Sequence, residues 1–306
     1  MSKNNFKFGV SSFGMPVLGG GMIPATTGSY WFVSSDTGND GNSGKAPTRA
    51  LATLDKAIGK CTADKGDVII IMPGHTETVA SAGAITCDIA GVFIIGLGTG
   101  TLRPAFSLAT LTTASILVTA ANVSISNCTF SSGIAELVTC FTVSAAGFTM
   151  DGCAVTDTAT SMINFMTTTA AADDLTIKNC HFITDAIPTA NDFFIMLVGG
   201  DSVTIVDNFF SVLTSNHGSS GTIGGETTAS TGVLIARNII YSIGTSVVAI
   251  VMYTGTTGLI ISNRIGGTKT NASGIITNES CYEFDNLTTN DVAASGFVDP
   301  AIDTAG

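Results

Sequence analysis

The chain has 306 residues, of which 45% are hydrophobic and only 11% are charged, and its net charge is −11 at pH 7. Up to residue 103 it has eight Lys/Arg and seven Asp/Glu, and beyond that point four and sixteen, so the later part carries the acidic charge. An acidic body argues against nucleic-acid binding, which depends on Lys and Arg. No run of about 18 uninterrupted apolar residues occurs, so we expect no membrane span, and the amino-terminus lacks the apolar region of a signal peptide.

Seven cysteines are an odd number, and no C-x-x-C spacing occurs among them. Such cysteines are typical of small buried hydrophobic residues in a protein made in a reducing compartment. We therefore expect no disulfide framework, no metal site and no cofactor.

Residues 1–29 are rich in glycine yet apolar. A disordered linker would be polar, and this segment has too few varied side chains to pack on itself. We predict an attachment arm that becomes ordered by docking on a partner, with packing along its own chain as the alternative. The residues expected to make the attachment are Phe13, Met15, Pro16, Val17, Leu18, Met22 and Ile23.

Residues 30–67 are predicted to form a cap that begins with a strand over residues 30–33. The loop over residues 35–44 favours Asx-turns over a calcium site, because it lacks the terminal glutamate of an EF-hand loop. Residues 48–61 have the apolar spacing of a helix. Because the end of a stacked fold exposes core residues and strand edges, this helix would cover the open end. The apolar face of the predicted helix comprises Leu51, Leu54, Ile58 and Cys61.

Residues 68–278 contain a repeat whose copies start 24 to 31 residues apart. In each copy the first and third residues are apolar, which is the period of a half-buried strand. Turn-forming residues and a second apolar run precede each copy, and no helical pattern occurs after residue 62. A period of this length indicates a repeat architecture, here an all-β solenoid with one coil per repeat. The copies begin at Val68, Val92, Val123, Phe148, Leu175, Val203, Val233 and Leu259.

The sixth position of the repeat predicts a ladder of small side chains at one corner. Rungs of a β-solenoid lie about 4.8 Å apart, so side chains at one position stack directly. Asparagine also tolerates the left-handed backbone of a sharp corner. Coincidence in a chain rich in Ser, Thr and Asn is the alternative. The predicted ladder comprises Cys128, Cys153, Cys180, Asn208 and Asn238.

Outward positions change from polar to apolar along the stack. Asp151 and Lys178 would form an exposed ion pair on adjacent rungs, which contributes little to stability. From Val206 onward the face is apolar, and such a face is usually covered. We predict a subunit interface, with a long loop folded over the face as the alternative. The predicted interface comprises Val206, Leu234, Ala236 and Ile260.

Residues 279–306 are predicted to form a tail over the final rung.

Several of these segments together resemble the opening of right-handed parallel β-helix proteins of the pectate-lyase-like group. They are Trp31-Phe32-Val33, Gly38-Asn39-Asp40-Gly41, Ala52 to Ile58, Gly66-Asp67-Val68-Ile69 and Pro73-Gly74. Gly14 to Gly20 and Val92 to Gly98 are similar, more specifically, to phage and prophage virion proteins of this fold. The resemblance implies a homotrimer and a place in a virion, which lysis of the host would release without a signal sequence.

The sequence motifs that could indicate cofactor binding, metal binding or catalysis are weak. Gly96-Leu97-Gly98-Thr99-Gly100 lacks the helix of a dinucleotide-binding loop, and three histidines, His75, His181 and His217, are too few and scattered for a metal site or triad. We interpret them as surface or loop residues.

Glycan cleavage is the one enzymatic alternative. Hydrolysis needs two carboxylates about 5–9.5 Å apart, and a lyase would need a basic residue beside an acidic cluster; Lys178 falls near Asp151 and Arg237 near Asp207. Aromatic residues for sugar stacking are scarce, so we interpret the carboxylates as solvated surface. The carboxylates available for hydrolysis are Asp173, Asp174, Asp207 and Glu226.

We therefore expect a right-handed parallel β-helix with an amino-terminal arm and a capping α-helix, without catalytic, cofactor or metal residues. The expected function is that of a structural phage protein, in its sharpest form a capsid decoration (cement) protein bound to the major capsid protein or another virion component. The alternatives are a tailspike or fibre component that binds or cleaves a host surface glycan, and a non-viral β-helix adhesin.

Overall fold

The computed structural model describes residues 10–12, 15–17, 24, 26–157, 162–184, 193–213, 221–243, 248–267, 276–277, 279–289 and 296–298. It confirms a right-handed parallel β-helix. In each coil the chain passes through three parallel sheets, here numbered 1 to 3 in the order in which it meets them. The coils stack so that each strand pairs with its counterparts in the coils before and after it.

Sheet 1 has ten strands: Tyr30–Val33, Val68–Ile71, Phe93–Gly96, Ser124–Ser126, Thr149–Asp151, Thr176–Lys178, Thr204–Val206, Val233–Ala236, Thr257–Ile261 and Ser280–Phe284. Sheet 2 has ten: Thr76–Thr78, Ala105–Leu108, Thr129–Ser132, Ala154–Asp157, His181–Thr184, Phe209–Leu213, Ile239–Ile243, Arg264–Gly267, Asn286–Thr289 and Gly296–Val298, the last antiparallel. Sheet 3 has eight: Ile85–Cys87, Ile116–Val118, Leu137–Val143, Met162–Thr168, Phe193–Leu197, Gly221–Gly225, Val248–Val251 and Ile276–Thr277.

The alternating pattern of the repeat places one column of apolar side chains inside the coil. Ile125, Met150 and Ile177 are in register on consecutive rungs of sheet 1, and all three are buried. Phenylalanines from sheets 2 and 3 fill the centre; the rings of Phe182 and Phe210 stack with centroids 4.8 Å apart. Large aromatic side chains bury much apolar surface each, and this explains how thin coils sustain a continuous core.

The capping helix is shorter than predicted. It begins at Leu54 and ends at Ile58, while residues 47–49 form a 3-10 turn. Two carboxylates define the start: Asp40 accepts hydrogen bonds from the backbone N–H groups of residues 52 and 53, and Glu77 accepts one from Leu54. Because Thr53 is extended and caps the helix, the chain before it cannot be helical. Leu51 instead forms a β-bridge with Val33.

The helix nevertheless covers the end of the stack as predicted, since Leu54 and Ile58 are buried against the first rungs. Cys61 is only half-buried. In the preceding loop, the side chain of Asn39 accepts a hydrogen bond from the N–H of Gly41 at 2.8 Å, which is an Asx-turn as predicted. The oxygens of Asp40 are committed to the helix start rather than free for a cation.

The sheets extend further than the predicted boundaries. Tyr30–Val33, assigned to the cap, is the first strand of sheet 1, and Ser280–Phe284, assigned to the tail, is its last. The second difference arises because residues 280–284 pair in parallel with Thr257–Ile261 over the whole strand and place Cys281 and Glu283 inward.

The outer face of sheet 1 is also apolar at its amino-terminal end, and there the chain covers it. Phe32, Val68, Ile70 and Ile95 point away from the main core yet are buried in a second cluster with Ala50. No helix among the described residues is long and apolar enough to cross a membrane.

Candidate interaction surface

The corner between sheets 1 and 2 is held by a ladder of asparagines. Asn208, Asn238, Asn263 and Asn286 occupy one position on four consecutive rungs and are almost completely buried. Each side-chain oxygen accepts a hydrogen bond from the backbone N–H of the preceding ladder residue; for Asn238 and Asn208 the distance is 3.0 Å. Each side-chain NH₂ group donates to a backbone carbonyl of the preceding rung, as Asn238 does to Ile205 at 2.8 Å. The predicted ladder is confirmed.

The left-handed backbone of this corner belongs to the residue before each ladder position. Asp207, Arg237, Ser262 and Asp285 have φ between 55° and 58°. The asparagine that follows is therefore needed for its hydrogen bonds and not for the bend, contrary to the reason we expected. Asn263 and Asn286, which the repeat pattern missed, also follow a left-handed residue directly after a sheet-1 strand.

Cysteines continue the same ladder toward the amino-terminus. The thiols of Cys153 and Cys180 lie 3.7 and 3.9 Å from the backbone oxygens of Ile125 and Met150, the same type of acceptor that the asparagine NH₂ groups use. Burial raises the pKa of the Cys128 and Cys180 thiols well above the usual range. All seven cysteines are free, as predicted. The thiols of Cys153 and Cys180 are thus placed as structural hydrogen-bond donors.

The predicted outward stripe is shifted by one residue in its last copy. Ile235 pairs with Ile260 and Leu234 with Leu259, so Ile260 lies in the core and Leu259 points outward. The prediction that Ile260 belongs to an interface is therefore wrong. Its cause is Gly258, which takes the inward position that the alignment gave to Leu259.

Two other residues of the predicted interface have little solvent-exposed surface. Ala236 is fully buried and Val206 is 8% exposed. Ala236 is small and lies between the larger side chains of Val206 and Ile261 on the neighbouring rungs. Leu234 is half-buried. The exposed part of the stripe lies beyond them, on the last two rungs.

The last rungs carry an exposed apolar surface on both sides of the ladder corner, here called the carboxyl-terminal ridge. Its sheet-1 face has Leu259, Tyr282 and Phe284, which are 44%, 78% and 68% exposed. Its sheet-2 face has Ile239, Tyr241 and Leu287, which are 46%, 44% and 42% exposed. The register places Leu259 beside Tyr282 on adjacent strands of sheet 1. On sheet 2, Ile239 and Leu287 lie two strands apart, with Arg264 between them.

The corner between the two faces is polar. Arg237 and Asp207 form a bidentate ion pair with distances of 2.8 and 2.7 Å, and Ser262 donates to Asp285 at 3.1 Å. A shallow groove of about 550 Å³ runs along this corner. Arg264 lines it between Ile239 and Leu287, and none of the ion pairs found among the described residues includes Arg264.

The structure separates Asp207 from the other candidate carboxylates. Asp173 and Asp174 precede sheet 1, where Asp173 accepts the N–H of Asp201, and Glu226 follows a strand of sheet 3. Asp207 lies at the opposite end of sheet 1, about five strand residues or roughly 16 Å away. That separation is too large for a pair that cleaves a glycosidic bond.

The two basic residues near carboxylates form ion pairs. Lys178 lies 3.4 Å from Asp151, as predicted. The Arg237 guanidinium holds the pKa of Asp207 below its usual range, so Asp207 stays ionised and cannot supply the proton that a general acid must give to a leaving group.

The histidines fall in different environments. His75 is buried, contrary to the prediction of a surface residue, because its ring packs on Phe106 and its Nε2 lies 3.1 Å from Glu77. His181 is exposed on sheet 2 and its ring lies 4.6 Å from that of Phe209. His217 lies outside the described residues. No group of three metal-ligating side chains occurs in the described parts of the chain.

Glu283 is the acidic residue that breaks the pattern of the core. It takes the inward position on the last strand of sheet 1, opposite Ile260, and is 9% exposed. Burial raises the pKa of its carboxyl above the usual range. A folded-state pKa above the unfolded value means that the folded state binds more protons, so stability falls as pH rises through the interval between them.

We expect Glu283→Gln to raise the melting temperature at pH 7 and to flatten its dependence on pH between 4 and 7. The neutral amide keeps the shape of the side chain but removes the cost of burying a charge. Thermal unfolding followed by circular dichroism over this pH range tests the expectation. Asp36→Asn, at an exposed position, is the control for the loss of a surface carboxylate. An unaltered slope in Glu283→Gln would assign the pH dependence to another group.

No protein-family model matches the chain, and no curated protein matches it. Among solved structures, a rhamnogalacturonan lyase aligns over 89% of this chain and 90% of its own, with a TM-score of 0.44 and 12% identity. The GH136 lacto-N-biosidase from Eubacterium ramulus aligns over 86% of this chain and 68% of its own, with a TM-score of 0.42 and 11% identity. Likenesses at this level carry no information about the chemistry or the partners of this chain.

Proposed function

We propose that this chain is a structural protein of a phage virion, in its sharpest form a capsid decoration protein. The arm would attach it to the major capsid protein or another virion component, and the acidic β-helix would face solvent. It would be made in the host cytoplasm and reach the exterior in the released particle. The observation that carries the proposal is a hairpin in the arm that pairs with no other described strand.

The hairpin joins Val10–Ser12 to Met15–Val17 as a separate two-stranded antiparallel sheet. An isolated two-stranded hairpin is marginally stable in water, and the sequence around it is apolar. Such a segment gains stability when a partner adds to its edge or covers one face. Of the predicted attachment residues, Met15, Pro16 and Val17 lie in the hairpin, and Phe13, Leu18, Met22 and Ile23 lie outside the described residues.

The described surface also favours a structural role over catalysis. Asp207, the carboxylate with a basic partner, is held ionised by Arg237 and cannot act as a general acid, and the other three candidates lie at the opposite end of the sheet-1 strands. The homotrimer that the sequence predicts remains part of the proposal. A tailspike or fibre component that binds a host glycan, and a non-viral adhesin, are the competing outcomes of the test.

The test is deletion of residues 1–29 in a phage whose genome encodes the chain. We expect full-length protein to be found over the capsid lattice in a cryo-EM map, and the truncated protein to be lost from particles while it remains folded in the lysate. Deletion of residues 1–9, which leaves the hairpin intact, is the matched control and should preserve incorporation. Circular dichroism of the purified variants establishes that the β-helix has formed in each.

Three outcomes would contradict the proposal in different ways. Density at the tail tip would favour the glycan-binding alternative. Incorporation of the truncated protein would show that the arm is not the anchor. Absence of the full-length chain from particles would exclude a virion role and favour an adhesin or another extracellular function.

A further inference from the structure

The carboxyl-terminal ridge differs from the other apolar surface of sheet 1 in that none of the described segments covers it. At the amino-terminal end Phe32, Val68 and Ile70 also point outward, and they are buried under the chain's own segments. On the ridge, Tyr282 and Phe284 are more than two-thirds exposed. Taking about 200 Å² for a whole aromatic side chain, the exposed fractions of Tyr282 and Phe284 leave roughly 300 Å² of aromatic surface in water on the sheet-1 face. Leu259 adds to this, so the sheet-1 face alone reaches the few hundred Å² at which an exposed apolar patch is often functional.

The charges on the ridge suit an acidic partner. Beyond residue 103 the chain has four Lys/Arg against sixteen Asp/Glu, and two of the four, Arg237 and Arg264, line the ridge groove. Arg237 is already paired with Asp207, whereas Arg264 lies at the centre of the sheet-2 face between two apolar side chains. The acidic body of a second copy of this chain has the complementary charge.

We propose that the sheet-2 face of the ridge in one copy docks against the sheet-1 face in the next copy, which closes a ring of copies. The inference deepens the proposed structural role and rests on it. The two faces lie on either side of one corner and point in different directions, so one flat partner surface cannot cover both. A contact between two different faces is heterologous, and the smallest ring that such a contact closes is a trimer.

Electrostatics favours this pairing over a contact between two identical faces. If two sheet-2 faces met, the Arg264 side chains of both copies would enter one apolar contact and repel each other. Against the sheet-1 face, Arg264 meets the rings of Tyr282 and Phe284, whose π-faces attract a guanidinium. Glu279 and Asp285, exposed at the two ends of the same strand, supply negative charge to this face.

The ladder of asparagines gives the ridge its rigidity. Because Asn238, Asn263 and Asn286 fix the backbone directly behind the corner, the two faces keep a constant angle. A heterologous contact forms a ring only when its repeated rotation returns to the first copy, and a ring of one size therefore requires a constant angle between the two faces.

The test uses two variants that replace ridge residues by threonine, which is also found on earlier rungs in the columns of Tyr282, Ile239 and Leu287. The first variant, Tyr282→Thr with Phe284→Thr, removes the sheet-1 face; Thr149, Thr176 and Thr204 occupy the same column as Tyr282. The second variant, Ile239→Thr with Leu287→Thr, removes the sheet-2 face, where Thr129 occupies the same column. Leu111→Thr with Val138→Thr, which changes exposed apolar residues outside the ridge, is the control.

Masses are measured by sedimentation velocity and light scattering, with thermal unfolding as the check that each variant is folded. We expect the full chain and the control to be trimers, and each ridge variant alone to be a monomer, with self-association weakened by about 100-fold or more, as for loss of an interface hot spot. An equimolar mixture of the two variants should form a 1:1 dimer, because it retains one intact pair of unlike faces.

Other results overturn the inference. If the contact between copies had a dissociation constant of about 1 μM, the full chain would be assembled at about 100 times that concentration. A full chain that is still monomeric there excludes the contact. Dimers of either variant alone show contacts between like faces, and a mixture that stays monomeric shows that the two faces do not meet. These outcomes concern mass in solution, whereas failure of the proposed virion role appears as failed incorporation into particles, so the two are distinguishable.

Discussion

We expect Asn238→Ala to lower the free energy of unfolding by about 3–5 kcal/mol, because it leaves several buried polar groups without partners. The backbone N–H of Asn208 loses its acceptor, and the carbonyl of Ile205 loses its donor. Each unsatisfied buried group costs about 1–3 kcal/mol, and the cavity left by the side chain adds to this. Chemical denaturation measures the total.

Hydrogen exchange of the Asn208 amide gives a local measure of the same effect. In the full chain this amide is bonded to the Asn238 side chain and should exchange slowly, whereas in Asn238→Ala it should exchange much faster. Cys153→Ala, at the same ladder position but with only a weak thiol donor, is the matched control and should cost about 1–2 kcal/mol. Equal losses of unfolding free energy in Asn238→Ala and Cys153→Ala would contradict a hydrogen-bonding role for the ladder.

We expect Gly258→Ala to lower the free energy of unfolding by about 4 kcal/mol or more and to unfold the last rungs. Gly258 has φ of 150°, and a Cβ there would lie 2.0 Å from the backbone oxygen of Val233 and 2.5 Å from its nitrogen. Both atoms belong to the neighbouring rung and cannot move without breaking strand pairing. Strain of this kind, at a backbone conformation open only to glycine, belongs to the most destabilising class of single substitutions.

Gly152→Ala separates the effect of backbone conformation from that of the close contact. Gly152 also has a positive φ, of 60°, but a Cβ added there would meet no atom within 4 Å. The Gly152→Ala substitution should therefore lower the free energy of unfolding by only about 1 kcal/mol. Thermal unfolding of both variants, with hydrogen exchange of the Thr257–Ile261 strand, tests the difference. Similar melting temperatures would show that the approach to Val233 relaxes easily.

The repeat could be identified from the chain alone because its signal is local. An inward residue every second position, a turn before it and a small residue at the corner are set by strand geometry and recur wherever a coil is built. For the same reason Cys128, Cys153, Cys180, Asn208 and Asn238 were predicted to stack, and the Asp151–Lys178 pair was predicted to meet.

The errors arose where a local pattern permits two registers. A shift of one residue turns every side chain of a strand to the other face, and Leu259, Ile260 and Ile261 are all apolar, so hydrophobicity could not choose between them. The structure places Gly258 inward, where only a glycine fits beside Val233, and Ile260 consequently enters the core. The helix was overextended because Asp40 and Glu77, which define its start, are distant in sequence from its first turn.

The class of fold, the parallel strands, the buried thiols and the place of the ladder follow from the amino-acid sequence, since each depends on spacing within one or two rungs. Which apolar side chains are covered follows from the packing in three dimensions. Phe32 and Tyr282 look alike as outward residues of sheet 1, but Phe32 is buried in a cluster with Ala50, whereas Tyr282 is exposed. Burial of an outer face depends on where other segments lie in three dimensions, and no spacing along the chain specifies it.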